Sequence, residues 1–185
     1  MLPTFLAAVR SLIAYIVILA YITVAAPLAL LLGVGLRWKT GMWMLGHLGA
    51  RLALALAGIR YRVIGRENVP AEAVVFCSNH ESNVDPPVLF EALHRRLHIL
   101  YKAELHRFPI MGTVFDVGGF IPIERNDRER ALQSITRGSE SLKAGNSFLI
   151  FPEGTRSLTG EMADFKPVIG YLALHAGVGI LPVYL

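Results

Sequence analysis

From Ser11 to Leu36 the chain reads SLIAYIVILAYITVAAPLALLLGVGL without one charged residue, and that run constrains everything else it can fold into. About 20 consecutive apolar residues are enough for a helix to cross the hydrocarbon core of a bilayer, so this run can span with some tilt. Pro27 is expected to kink such a helix rather than abolish it. A cleaved signal peptide is the competing reading. Its apolar region is shorter, about 7–15 residues, and leads to a small-residue cleavage site; the length here favours an anchor. Arg37 and Lys39 follow the run directly and Arg10 precedes it, an asymmetry that points the rest of the chain to the cytoplasmic face.

A second apolar segment runs from Met42 to Ile59. Leu45, Leu48, Leu52, Leu56 and Ile59 recur at steps of three and four, which is one face of a helix, and His47 and Arg51 interrupt it. The expectation is an interfacial or re-entrant helix that pairs with the first; a core-facing helix of the following domain fits the same pattern. Residues 1–58 are therefore read as membrane-anchoring helices and 59–185 as one domain of ordinary size.

Beyond Gly65 the pattern changes to short apolar runs separated by polar, Gly- and Pro-containing turns. Ala73–Ser78, His98–Tyr101, Gly119–Ile123, Ser147–Phe151 and Gly179–Tyr184 read as strands. Most are continuously apolar, as in a sheet covered on both faces. Helical stretches at Pro86–Arg95, Arg128–Ala144 and Pro167–Ala176 lie between them, with Gly145 closing the middle one. The alternation predicts an α/β domain, a mixed sheet covered by helices behind the helical anchor.

The net charge of +4 suggests anionic partners. No nucleic-acid motif and no basic run interleaved with aromatics is present, which leaves phospholipid headgroups and phosphorylated substrates and argues against nucleic acid. The single cysteine, Cys77, excludes an intramolecular disulfide and fits a reducing compartment. It sits on the strand before the first motif, where burial is expected rather than reactivity. His94 and His98 stand four apart, but no third ligand has suitable spacing; HRRLH reads as a solvated face, and no metal is expected.

The first chemical feature is SNHESNVDPP. His80 follows an apolar strand and Asp85 stands five residues on, before Pro86 and Pro87. Asp before proline also makes a good helix start, with Asp as N-cap, so the bland reading of Asp85 is a cap and of His80 a turn residue. The functional reading is a histidine base oriented by a carboxylate. Its unperturbed pKa near 6.5 suits neutral pH, a bonded carboxylate fixes its tautomer, and loops at strand ends are where sites collect in open α/β sheets. Arg125 and Arg156 each offer a planar fork suited to phosphate. Gly154 allows close backbone approach, Thr155 adds a hydroxyl, and Glu153 either accepts from an acceptor hydroxyl or pairs with Arg156 to brace the loop. Lys102 and Lys166 attract phosphate or are simply solvated. No GxSxG elbow or other covalent nucleophile is evident.

These residues fall into blocks that resemble those of the 1-acylglycerol-3-phosphate acyltransferase family. Asn79-His80 with Asp85 is similar to its NHxxxxD motif; GFIPIER, ending at Arg125, to its second block; Phe151–Ser157 matches FPEGTRS residue for residue; and ILPV at 180–183 is similar to its last strand, with YKAEL around Lys102 and Glu104 in keeping. The resemblance covers about Val74 to Leu185. It implies an acyltransferase that moves a fatty acyl chain from acyl-CoA or acyl carrier protein to the sn-2 hydroxyl of 1-acylglycerol 3-phosphate. The thioester is a co-substrate and no further cofactor is implied. His80 and Asp85 take the catalytic roles, and Arg125 with Glu153, Gly154, Thr155, Arg156 and Lys102 hold the acceptor. Membrane lipids and the lysophospholipid acceptor are the implied partners. Relatives acylating glycerol 3-phosphate or lyso-ornithine lipids carry the same motifs, and a silent lipid-binding module would share the fold. Family members continue for several elements past the last strand, so the chain is expected to be a compact member or a piece of a longer one.

Overall fold

A computed structural model describes residues 2–93, 96–124 and 127–185. The uncharged run is helical, but the helix starts earlier than the run does. It forms α1 (Leu2–Leu30) and continues as a π-helical turn at Leu31–Gly35. Pro27 lies inside α1 without ending it. Phe5–Gly35 is the one helix among the described residues long and apolar enough to cross a membrane, and only 17% of its most apolar window is buried. A core helix of a soluble domain would be mostly buried, so the exposure fits an apolar surround.

The second helix, α2 (Lys39–Ala57), begins three residues before the expected start and closes at Gly58 in the left-handed region. It is antiparallel to α1. Arg10 lies beside Gly58, the Tyr21 hydroxyl donates to the Leu45 carbonyl at 2.6 Å, and Gly33 abuts Met42. Gly33 is needed there, because a Cβ would stand 2.8 Å from Val117 Cγ1 and 3.0 Å from Met42 Sδ. One side of α2 packs on α1, as expected of the pairing helix, and another meets Glu91 of the following domain. Leu48, on the expected apolar face, stays exposed.

The α/β part alternates without exception: β1 (Val75–Ser78), α3 (Asp85–Leu93), β2 (Leu97–Lys102), α4 (Pro109–Val117), β3 (Ile121–Ile123), α5 (Arg128–Lys143), β4 (Ser147–Ile150), α6 (Val168–Ala176) and β5 (Ile180–Val183). The sheet order is β3-β2-β4-β1-β5. All four pairings are parallel, so the sheet is parallel throughout rather than mixed. The reason lies in the connections. Each of the first four strands is followed by a helix that returns the chain to the starting edge, which only parallel pairing allows. One of those helices, α4, has no counterpart among the expected elements. Its marks are Pro109 at the first helical position and the Gly118-Gly119 stop.

Alternate residues of the apolar strands face opposite layers. Val75, Phe148 and Ile150 pack with Ile135 and Leu142 of α5 and Leu172 of α6. Val74, Phe76, Leu97 and Leu149 pack with Leu89 of α3 on the other side. On that second side a buried carboxylate meets two residues distant in sequence. Glu91 of α3, 3% exposed, accepts from His47 Nδ1 at 2.5 Å and Arg51 Nε at 2.6 Å, both on α2. This ties the helical hairpin to the sheet layer.

Candidate active site

Because the strands are parallel, their C-terminal ends share one edge, and the sequence blocks follow those ends. The His80 loop leaves β1, Lys102 ends β2, Glu124 follows β3, FPEGTRS leaves β4, and Leu185 follows β5. β1 and β4 are neighbours, so His80 and the Phe151–Ser157 segment meet directly. With strands about 4.8 Å apart, Lys102 stands roughly two strands from β1.

His80 is held on every side. Its Nδ1 lies 2.8 Å from Asp85 Oδ2, which also accepts the Glu81 and Ser82 amides at 2.7 Å each. The Asp85 carboxylate thus reaches back over the preceding loop, and the N-cap reading, in which it would bond amides further along α3, does not apply. An acceptor at Nδ1 assigns the ring proton there, leaving Nε2 as a lone-pair acceptor with no hydrogen-bond partner among the described residues. The ring stacks on Phe151, centroids 4.0 Å apart at 21°. The Ser157 amide donates to the His80 carbonyl at 2.7 Å. Asn79 pairs its side-chain amide with the Leu185 backbone in both directions, at 2.9 and 3.2 Å.

Glu153 does not pair with Arg156. It is 3% exposed, and its oxygens accept the backbone amides of His80 at 2.8 Å and Ala163 at 3.0 Å. Gly154 has φ +72°, a left-handed conformation that needs glycine. The space above it is taken by Lys166, whose Nζ would lie 2.9 Å from a Cβ there. Thr155 and Arg156 are exposed at the same edge. Lys102 is exposed and pairs with Glu104 at 3.1 Å. Arg125 lies outside the described residues. Asn79, Phe151 and Ser157 are the site neighbours that residue chemistry alone passed over. Their contributions are a backbone pairing, a ring stack and an amide, none of which a side-chain inventory reveals.

His98 and Cys77 lie outside the site. His98 lies on β2, where the expected strand His98–Tyr101 put it, and the solvated-face reading of HRRLH fails for it: its Nδ1 is 3.2 Å from Ser141 Oγ and its ring stacks near Trp43. Burial, with some help from Lys39, holds it below the ordinary imidazole range. His94 lies outside the described residues. Cys77 is partly buried, and burial pushes its thiol up, which disfavours the thiolate.

Behind the site lies an apolar cavity of about 580 Å³ between the hairpin and the sheet layer. Tyr21, Ala25, Trp43 and Ala50 line it from the hairpin; Pro86, Pro87 and Phe90 of α3 and Phe115 of α4 line it from the domain. Pro86 follows Asp85 in the chain, so the cavity wall and the His80–Asp85 pair share the first turn of α3. A groove of about 660 Å³ follows the outer face of α2 past Leu32, Trp38 and Arg51, and among the described residues none of the sheet edge lines it.

Known acyltransferases resemble this chain. A 1-acyl-sn-glycerol-3-phosphate acyltransferase of Pseudomonas aeruginosa is 38% identical over 136 residues, 71% of this chain and 51% of that protein. One of Borreliella burgdorferi is 35% identical over 136 residues, 73% of this chain and 54% of that protein. The chain thus spans about half the length of these relatives. The crystal structure of the 1-acyl-sn-glycerophosphate (LPA) acyltransferase PlsC from Thermotoga maritima superposes with a TM-score of 0.74 at 24% identity, covering 97% of this chain and 72% of that one, so the fold is shared. The family model described as Acyltransferase matches residues 60–185, and with the relatives above it shows that the chain belongs to the acyltransferase family.

Proposed function

We propose that this chain transfers a fatty acyl group from acyl-CoA or acyl carrier protein to the sn-2 hydroxyl of 1-acylglycerol 3-phosphate, forming phosphatidic acid at the membrane surface. The observation that carries the reading is His80 Nε2, unpartnered among the described residues, on a ring whose Nδ1 is bonded to Asp85 at 2.8 Å. A neutral imidazole so held takes a proton at Nε2 and nowhere else. As the acceptor hydroxyl loses its proton to Nε2, its oxygen attacks the thioester carbonyl, and Asp85 stabilises the imidazolium. Collapse of the tetrahedral adduct expels the thiolate, which takes the proton back from His80. No acyl-enzyme is needed, and Cys77, with its raised thiol, is not a nucleophile in this scheme.

The other features support the same substrates. Arg156 and Thr155 are exposed on the loop that meets His80, at the edge where Lys102 ends β2. They offer cationic and hydroxyl donors to the acceptor phosphate. The 580 Å³ cavity lies within the ordinary range of ligand sites, about 300–1,000 Å³. Its apolar walls suit a hydrocarbon chain rather than a polar one. The hairpin of residues 1–58 anchors the domain where an amphiphilic acceptor resides, with the catalytic part on the cytoplasmic face.

The test is thiol release from palmitoyl-coenzyme A by the detergent-solubilised chain, with and without lysophosphatidic acid, beside His80→Ala. Release that requires the acceptor and vanishes in the variant is expected. Release independent of acceptor would instead indicate a thioesterase, and no release from the folded chain a silent lipid-binding module.

A further inference from the structure

The FPEGTRS segment grips His80 by both peptide groups that flank it. Glu153 Oε1 accepts the His80 amide at 2.8 Å, the Ser157 amide donates to the His80 carbonyl at 2.7 Å, and Phe151 covers the ring face at 4.0 Å. The second Glu153 oxygen accepts the Ala163 amide at 3.0 Å. That bond fastens the far end of the same excursion. With 3% of its surface exposed and both oxygens engaged, this carboxylate has no free face to present to a substrate.

We infer that Glu153 is a positioning residue for His80 rather than a contact of the acceptor, and that the Glu153–Ser157 grip sets the height of Nε2 above the sheet edge. This rests on the reading of His80 as the base. The chemistry requires a carboxylate in particular. Two amide donors converge on the side chain, so two acceptor oxygens are needed. Glutamine offers one acceptor and turns an NH₂ donor toward the other amide. Aspartate keeps both acceptors, but one methylene less leaves it unable to reach both amides. In either variant one fastening is lost while Arg156 and Thr155, the groups offered to the acceptor, are unchanged. Displacing a catalytic group by about 1 Å costs on the order of 10²-fold in rate. That loss falls on kcat, because the ground-state contacts of the acceptor persist.

The experiment is steady-state kinetics of the full chain in detergent with palmitoyl-coenzyme A and lysophosphatidic acid. Wild type, E153Q, E153D and His80→Ala are compared. For both Glu153 variants, kcat is expected to fall about 10²-fold, with KM for lysophosphatidic acid within about twofold of wild type. A raised KM with kcat retained, or wild-type values for both, would overturn the inference while leaving the base in place. Full activity in His80→Ala would instead remove the reading on which it rests. If neither Glu153 variant folds, amide hydrogen exchange in the wild type decides. Protection of the His80 amide comparable to that of the β1 amides sustains the grip, and exchange at the rate of an open loop overturns it.

Discussion

Helix α3 carries two buried carboxylates, and each accepts a hydrogen bond from the Nδ1 of a histidine. At its first residue Asp85 meets His80 at 2.8 Å; six residues on, Glu91 meets His47 at 2.5 Å. The pairs look alike and differ in everything around them. Asp85 is completed by two backbone amides of its own loop, so no second charge enters and the ring's far nitrogen stays open at the sheet edge. Glu91 is completed by the Arg51 guanidinium of another helix, and its histidine, 23% exposed against 17% for His80, lines the cavity and the outer groove of α2 rather than the sheet edge. A histidine–carboxylate pair is therefore not a catalytic signature in itself. What distinguishes the first is a tight five-residue loop, amide donors in place of a cation, and a place at the sheet edge against the FPEGTRS segment.

Breaking the first pair should have the largest effect. His80→Ala is expected to lower acceptor-dependent thiol release about 10²–10⁴-fold, whereas His47→Ala, with its thermal unfolding measured alongside, should retain turnover within about tenfold of wild type. Equal losses would mean that the two histidine–carboxylate pairs do not differ in role. Next comes Arg156→Ala, which removes a charged donor worth roughly 1.5–3 kcal/mol. KM for lysophosphatidic acid should rise about 10–100-fold in saturation kinetics with kcat little changed.

The cavity wall sharpens the comparison from the other side. A Cβ on Gly46 meets nothing within 4 Å, and Gly46 lines the cavity, so Gly46→Phe should fill space rather than clash. Each CH₂ denied burial costs about 0.8 kcal/mol. Competition between palmitoyl- and decanoyl-coenzyme A should accordingly shift several-fold toward the shorter donor. An unchanged preference would separate the cavity from the acyl chain.

The smallest effect belongs to the second carboxylate. Burial pushes Glu91 up, but the Arg51 and His47 hydrogen bonds outweigh it and hold its carboxyl below the ordinary 4.5. Because the folded value is the lower one, the stability this group lends is complete above about pH 4.5 and is lost as pH falls through the folded value. Glu91→Gln should cost roughly 1–2 kcal/mol near neutrality. It should also flatten the acid limb of thermal stability, read as Tm against pH, with turnover per folded molecule retained.

Much of the site was legible because its chemistry is local. His80 and Asp85 are five residues apart, and FPEGTRS is contiguous, so their spacing survives any fold that puts them on a loop. Glu153 shows the limit. Its type was readable and its partner was not, because a carboxylate that binds backbone amides leaves no complementary side chain in the sequence. His98 marks another limit: its strand was readable, but its neighbours Ser141 and Trp43, 43 and 55 residues away, were not.

By itself the sequence determined the uncharged helix, the alternation of apolar runs with helices, and the order of the chemical blocks, all of which follow from short-range patterning. Tertiary structure alone decided three things. It set the strand order β3-β2-β4-β1-β5, which places β4 beside β1 and so FPEGTRS beside His80. It joined His47 and Arg51 to Glu91 across 44 and 40 residues. It also opened the apolar cavity between α1, α2, α3 and α4. Contacts between distant segments depend on how layers stack and which strands pair, and those choices are made by burial summed over the whole chain rather than by any residue's neighbours.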